Sequence, residues 1–219
     1  MNPLLDFSGL PRFAEFKPEF IAPAISWLLS EVRAAIEQVT AEDEQPTWES
    51  LVTPLDDALE RLRRAWGQVA HLNAVMNTPQ LREAYNATLP DVTRLYTELA
   101  QNEDLFRRYK ALQVSPEFGG LSDAQRKFIE NELRDFRLGG ADLSPENKAE
   151  FKANAEQLAR LSSRFNDNLL DETNAFELLV TEESDLAGIP RDSVDTARRT
   201  AETDGKKGWK FTLHAPITG

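Results

Sequence analysis

The chain contains no cysteine. That excludes disulfides, thiolate metal sites and a cysteine nucleophile. Histidine is scarce too: His71 and His214 are the only two. A catalytic zinc takes three protein ligands and keeps an open position for water. The economical helical way to supply two of them, histidines at i and i+4, is absent, and no H-E-x-x-H occurs. His71, in Val69-Ala70-His71-Leu72-Asn73, reads as a hydrogen-bonded structural residue near a helix end, and His214 reads similarly near a strand end. No apolar run approaches the roughly 18 residues of a membrane span. Met1-Asn2-Pro3-Leu4-Leu5-Asp6 lacks a basic segment followed by an apolar one, so the expectation is a cytoplasmic protein. Basic residues are outnumbered, with 25 Lys and Arg against 37 Asp and Glu and a net charge of −12. Without a basic stripe to release counterions, nucleic acid is excluded as a partner. The acidity reads as a device for solubility. Neither Gly119-Gly120 nor Gly139-Gly140 is followed by the G-K-[ST] of a phosphate-binding loop, so both read as turns or caps.

What is present is helical periodicity. At 219 residues with 41% hydrophobic side chains, the chain can bury a sizeable core in one or two domains. Ile21, Ile25, Leu28, Val32, Ile36 and Val39 recur at three-four spacing and predict a helix from about Pro18 to Thr40. Pro23 falls in its first turns, where proline is tolerated. Thr53 with Pro54 predicts a capped second start, carrying Leu55, Leu59, Leu62, Trp66 and Val69. Arg61, Arg63 and Arg64 lie off that stripe and read as a solvated face. Thr78-Pro79 repeats the signal for a third helix with Leu81, Tyr85, Val92, Leu95 and Leu99. Pro90 predicts a kink within it. A short helix follows with Leu105, Phe106, Tyr109 and Leu112. Ahead of all these, the arm Met1–Lys17 is broken by Pro3, Gly9 and Pro11. Its Leu4, Leu5, Phe7, Leu10, Phe13 and Phe16 predict an extended segment laid across the helices.

The stretch Leu121–Val180 organises the rest. Ser122 and Gln125 form a capping box for one helix, which closes at Gly139-Gly140. Ser144 caps the next, with Pro145 at its first position. Along it Phe151, Ala155, Leu158, Ser162, Phe165, Leu169 and Thr173 share one face. At about 1.5 Å per residue, Pro145 to Thr173 spans about 43 Å. The expectation is that this face is buried, in which case Phe165→Ala costs about 3–5 kcal/mol. Phe176, Leu178 and Val180 then alternate at period two. A short helical piece covers Glu182 to Ala187, and a polar helix covers Asp192 to Glu202. Trp209, Phe211 and Leu213 share one face of a second strand, with Lys210 and Thr212 on the other. The two strands are expected to pair antiparallel, with their apolar face and outer edge needing cover. The fold class is mainly α: a bundle of long antiparallel helices with a small two-stranded β appendage near the C-terminus.

The same stretch carries a resemblance. Asn131-Glu132-Leu133-Arg134-Asp135-Phe136, Leu138-Gly139-Gly140 with Leu143, then Leu158, Leu161 and Phe165, then Asn168-Leu169-Leu170-Asp171-Glu172-Thr173 resemble the amino-terminal helical region of thimet-oligopeptidase-type zinc metallopeptidases. Earlier pieces match in order: Asn2-Pro3-Leu4-Leu5, Lys17-Pro18-Glu19, Thr47-Trp48-Glu49, His71-Leu72-Asn73, Leu81-Arg82-Glu83-Ala84-Tyr85 and Thr88-Leu89-Pro90. Leu179-Val180-Thr181, Leu186-Ala187-Gly188 and Pro190 follow, so the resemblance covers nearly the whole chain.

The resemblance implies that residues 1–173 are the helical amino-terminal region of an oligopeptidase. Residues 174–219 are then a strand-helix-strand segment leading into a missing catalytic portion. It implies short peptides as the parent enzyme's substrates and zinc as its cofactor, with this portion forming one wall and the entrance of the substrate channel. No catalytic, cofactor-binding or metal-ligating residue is carried over, because the zinc motif lies beyond a segment of this kind. The paired acids Asp56-Asp57, Asp171-Glu172 and Glu182-Glu183 read as solvated faces, since acid-base work needs carboxylates held in a cleft. The alternative is a stand-alone helical binding or scaffold protein, such as an inhibitor of the full-length peptidase docking through the Trp209–Leu213 ribbon. A coiled-coil adaptor is weaker, because no heptad is sustained.

Overall fold

The computed structural model describes residues 2–41 and 44–213. It divides into two compact units, Met1–Arg160 and Leu161–Gly219. Among the described residues are seven α-helices and two strands, so the mainly helical class with a small two-stranded appendage holds.

The first unit is built on α1 (Ile21–Ala41), α2 (Thr53–Val75), α3 (Pro79–Ala100), α4 (Glu103–Gln113) and α5 (Asp123–Leu138). The periodic stripes go inside. Ile21, Ile25, Leu28, Val32 and Val39 of α1 meet Leu55, Leu59, Leu62 and Val69 of α2 in one core with Leu81, Val92 and Leu95 of α3. Leu105, Phe106, Tyr109 and Leu112 of α4 are buried, and Ile129, Leu133 and Phe136 of α5 close over them. Rings reinforce the seams. Trp66 stacks on Tyr85 with centroids 4.9 Å apart, and Trp48 meets Phe128 edge-on at 5.6 Å.

Local chemistry fixes where each helix starts and stops. The Thr78 hydroxyl accepts the Leu81 N–H, and the Asn102 side chain accepts that of Leu105. The Ser122–Gln125 capping box forms, with reciprocal bonds of 3.0 and 3.3 Å. α5 ends in a Schellman turn: the Ala141 N–H donates to the Phe136 carbonyl at 2.9 Å and the Gly140 N–H to that of Arg137. Gly140 takes φ +92°, a conformation that suits only glycine at little cost.

Thr53 does not cap α2. The chain turns helical five residues earlier, in a π turn over Trp48–Val52. There the Thr47 hydroxyl accepts the Ser50 N–H at 3.0 Å and the Ser50 hydroxyl accepts that of Thr47 at 3.1 Å. The Thr53 hydroxyl instead donates to the Glu49 carboxylate. Thr47→Ala should therefore lower stability by about 1 kcal/mol, read as a shifted urea midpoint, while Thr53→Ala should cost less than half of that.

The amino-terminal arm lies on the helices as expected for Leu4, Leu5, Phe7 and Phe16, which are packed against the core. Leu10 and Phe13 depart from that expectation and are exposed. Arg64 is not part of a solvated face. Its guanidinium donates to the Phe7 and Gly9 carbonyls at 3.2 and 3.0 Å and sits over the Phe7 ring, pinning the arm to α2.

α6 (Pro145–Ala175) is the longest helix, starting after Ser144. Ion pairs tie its first half to α3 and α4: Lys152 to Glu98 at 2.8 Å, Arg94 to Glu156 at 3.4 Å, and Lys148 to Glu103. The expected burial of its apolar face fails. Leu158, Leu161, Phe165 and Leu169 are all more than half exposed, with Phe165 at 66%. The one buried α6 residue is Asp167. A change of Phe165 to Ala creates no cavity, so the large cost expected of it does not apply.

The second unit carries the end of α6, then β1 (Leu178–Val180), α7 (Arg191–Thr203) and β2 (Trp209–Phe211). The strands pair antiparallel, with Leu178 opposite Phe211, Leu179 opposite Lys210 and Val180 opposite Trp209. Alternation thus puts Trp209 and Phe211 on one face as expected. The buried member of β2, however, is Lys210 and not its apolar neighbours. α7 packs through Ala197 and Ala201, whose small side chains are buried.

Candidate functional site

His71 joins no metal-ligating group among the described residues. His71 is exposed on the penultimate turn of α2, with its ring 5.9 Å from that of Phe13. Among the described residues it makes this aromatic contact and not the hydrogen bond expected of it. His214 lies outside the described residues. The paired acids are scattered: Asp56 pairs with Arg63 at 2.8 Å, Asp171 and Glu172 sit on exposed turns of α6, and Glu182 and Glu183 are exposed after β1. Among the described residues, no three His, Cys, Asp or Glu side chains come together as a metal would require. The described residues therefore group no ligand set of the kind a catalytic zinc takes.

Two polar clusters exist that the sequence did not disclose. In the first unit, Tyr109 is buried on α4, and burial pushes its hydroxyl pKa up, with the charges of Glu132 and Asp56 adding to the effect. Burial likewise holds the Glu132 carboxyl above its ordinary value, with Asp135 and Asp56 repelling its charge and Arg63 opposing them.

In the second unit, the Lys210 ammonium is caged by the Glu177 and Asp204 carboxylates, and Lys206 reaches Glu177 at 2.8 Å. Hydrogen bonds from Lys206 and Lys210 hold Glu177 down to about 2, from an ordinary 4.5. A carboxylate depressed on folding stabilises the fold above its unfolded pKa, and that stabilisation is lost as pH falls through the folded one. Wild type should therefore melt above Glu177→Gln at pH 7. The gap should close between about pH 4.5 and 2, as a pair of thermal melts at each pH would read.

The remaining feature is a surface. Leu161, Phe165 and Leu169 recur at i, i+4 and i+8, so they lie within about 80° of the α6 circumference. The half-buried and buried positions Ser163, Asp167 and Leu170 occupy the opposite side. By composition the helix is inside out. Chemically such a surface can bind apolar groups; it offers no nucleophile and no acid-base pair.

Residues 25–148 match the family model of the neurolysin/thimet oligopeptidase N-terminal domain. The chain belongs to this family. Relatives with the same domain agree over nearly the whole sequence. Oligopeptidase A of Haemophilus influenzae is 44% identical across 98% of this chain, and the chain covers 31% of that protein. Oligopeptidase A of Salmonella typhimurium and of Escherichia coli are 38% and 37% identical across 98% of this chain, and the chain covers 32% of each. The chain thus spans about a third of the length of the curated relatives it matches. The thimet-oligopeptidase resemblance of the sequence is confirmed, and the five core helices α1 to α5 lie almost entirely within the matched domain.

Proposed function

We propose that this chain is the amino-terminal, non-catalytic portion of a cytoplasmic zinc oligopeptidase that hydrolyses short peptides. In this reading it forms one wall and the entrance of the substrate channel. The helical region 1–173 builds the wall, and the strand-helix-strand segment 174–219 leads into the catalytic portion. The supporting observation is that oligopeptidase A relatives match 98% of this chain while about two thirds of their own length lies outside the match.

When bound in such an enzyme, zinc polarises the scissile carbonyl and activates water. The described side chains group no ligand set for it; in this reading the zinc ligands and general base are supplied by the catalytic portion. What this chain contributes is rigid wall: a helical core whose caps and aromatic seams hold its outer faces in place. A channel bounded in this way admits short peptides and excludes folded proteins. Nucleic acid and membrane have no place in it. No described helix is long and apolar enough to cross a bilayer, and the net charge repels phosphate.

The purified chain alone should not cleave short fluorogenic peptides and should hold no stoichiometric zinc by metal analysis. Chelator-sensitive turnover by the pure chain, surviving mutation-free repurification, would sink the reading.

A further inference from the structure

The α6 stripe is the most anomalous surface in the molecule. An isolated exposed leucine needs no explanation, but a contiguous row of large apolar side chains marks an interaction site. Here Leu161, Phe165 and Leu169 are 54%, 66% and 57% exposed, while the polar Asp167 on the far side is buried. Within the same unit the ribbon adds half-exposed Phe176 and Leu178. Left open to water, such a helix would gain nothing from its own amphipathic pattern.

Two occupants are physically simple: a second copy of this chain, or the polypeptide that makes up the rest of the relatives. Charge disfavours the copy. Residues 161–213 hold eleven Asp and Glu against seven Lys and Arg, on a chain of net charge −12, so two copies would bring like charge together. Length favours the other. The relatives carry about two thirds of their polypeptide beyond the matched part, and this chain matches their N-terminal domain. That remainder is large enough to cover a helix face.

We propose that the Leu161–Phe165–Leu169 face of α6 is the docking surface for the catalytic portion of an oligopeptidase A-type polypeptide. The inference rests on the function proposed above and adds the surface through which the two portions are joined. The three apolar side chains of this seam carry no charge of their own to desolvate.

The test compares one double substitution in two settings. Phe165→Ser with Leu169→Ser is placed in this chain alone. It is also placed in a chimera in which this chain replaces the matching first third of the Haemophilus influenzae oligopeptidase A. In the isolated chain both side chains are exposed, so the melting temperature should stay within about 1 °C. In the chimera it should fall by about 5 °C or more, or the melt should split in two, whereas Leu10→Ser, at an exposed site of the first unit, should do neither. Equal melting of substituted and unsubstituted chimera overturns the proposal. So does a chimera that gives no folded product with the stripe intact. Sedimentation of the isolated chain supplies the other arm: a monomer is expected, and a dimer dissolved by the double substitution assigns the face to a second copy and overturns the proposal. Peptide hydrolysis is scored separately. A chimera that is inactive yet sensitive to the double substitution sinks the functional reading and leaves the docking surface standing.

Discussion

Phe136→Ala should be the most damaging simple truncation in the first unit, lowering its stability by about 3–5 kcal/mol. Phe136 is 4% exposed on α5. Its ring lies 5.6 Å from both Phe106 and Tyr109 of α4, so it is the common member of a three-ring cluster. Phe106 is in turn covered by the Lys110 ammonium, 3.6 Å from the ring centroid, and the Arg137 guanidinium. Removing the Phe136 ring leaves a void lined by two aromatics that cannot both collapse into it, and it deprives them of edge and face partners. The Phe136 carbonyl also closes the Schellman turn, so a shift of the last turn of α5 would be felt at Gly140 and Ala141. For a unit of this size the loss corresponds to a melting shift on the order of 10 °C. A shift under about 2 °C would show that α4 and α5 are not clamped through this cluster.

Phe165→Ala supplies the contrast, with an expected change within about 0.5 kcal/mol in the isolated chain. The two phenylalanines are equally conspicuous in the sequence, each on a helix with a clear apolar stripe. Periodicity reports that a face is apolar; it does not report what covers it. For α1, α2 and α4 the cover lies within the chain, so Leu28, Leu62 and Tyr109 were legible as core from spacing alone. For α6 the described residues leave Phe165 exposed, whereas the same reasoning put it inside.

The other departures have equally local causes. Thr53 reads as the cap of α2, but the chain turns helical five residues earlier, behind Thr47. The structure uses Thr47 because Ser50, three residues on, can return the hydrogen bond, while Thr53 has only Glu49 within reach. In the ribbon, alternation correctly groups Trp209 with Phe211 but cannot say which side faces α7. That was decided by Glu177 and Asp204, which give Lys210 two carboxylates in a place where an unpaired ammonium would be costly. Residues so far apart along the chain leave no local signature, and the Tyr109–Glu132 cluster was hidden for the same reason. The family, by contrast, was visible in ordered fragments from Asn2 to Pro190.

Gly208→Val should be the most damaging change in the second unit, and the reason is backbone geometry. Gly208 adopts φ +116°, where a β-branched residue is strained by roughly 1–3 kcal/mol. A Cβ at this position would also lie 2.4 Å from the Val180 carbonyl oxygen and 3.4 Å from its carbon. Both atoms are main chain, so no rotamer change relieves the clash. The strands must part at the Val180–Trp209 pair, which is one of only three in the ladder. A two-stranded ribbon has little reserve. Once it opens, Lys210 leaves Glu177 and Asp204, and the second unit loses that charged cage. Hydrogen exchange should show the amides of β1, β2 and α7 losing protection together. Two controls separate the causes. Gly205→Val, at φ +67° with open space around it, carries strain without a clash and should produce a smaller loss; Gly9→Val, free of both, should produce none. Full protection of β1 and β2 in Gly208→Val would mean that the close approach of Gly208 to Val180 does not hold the ribbon together.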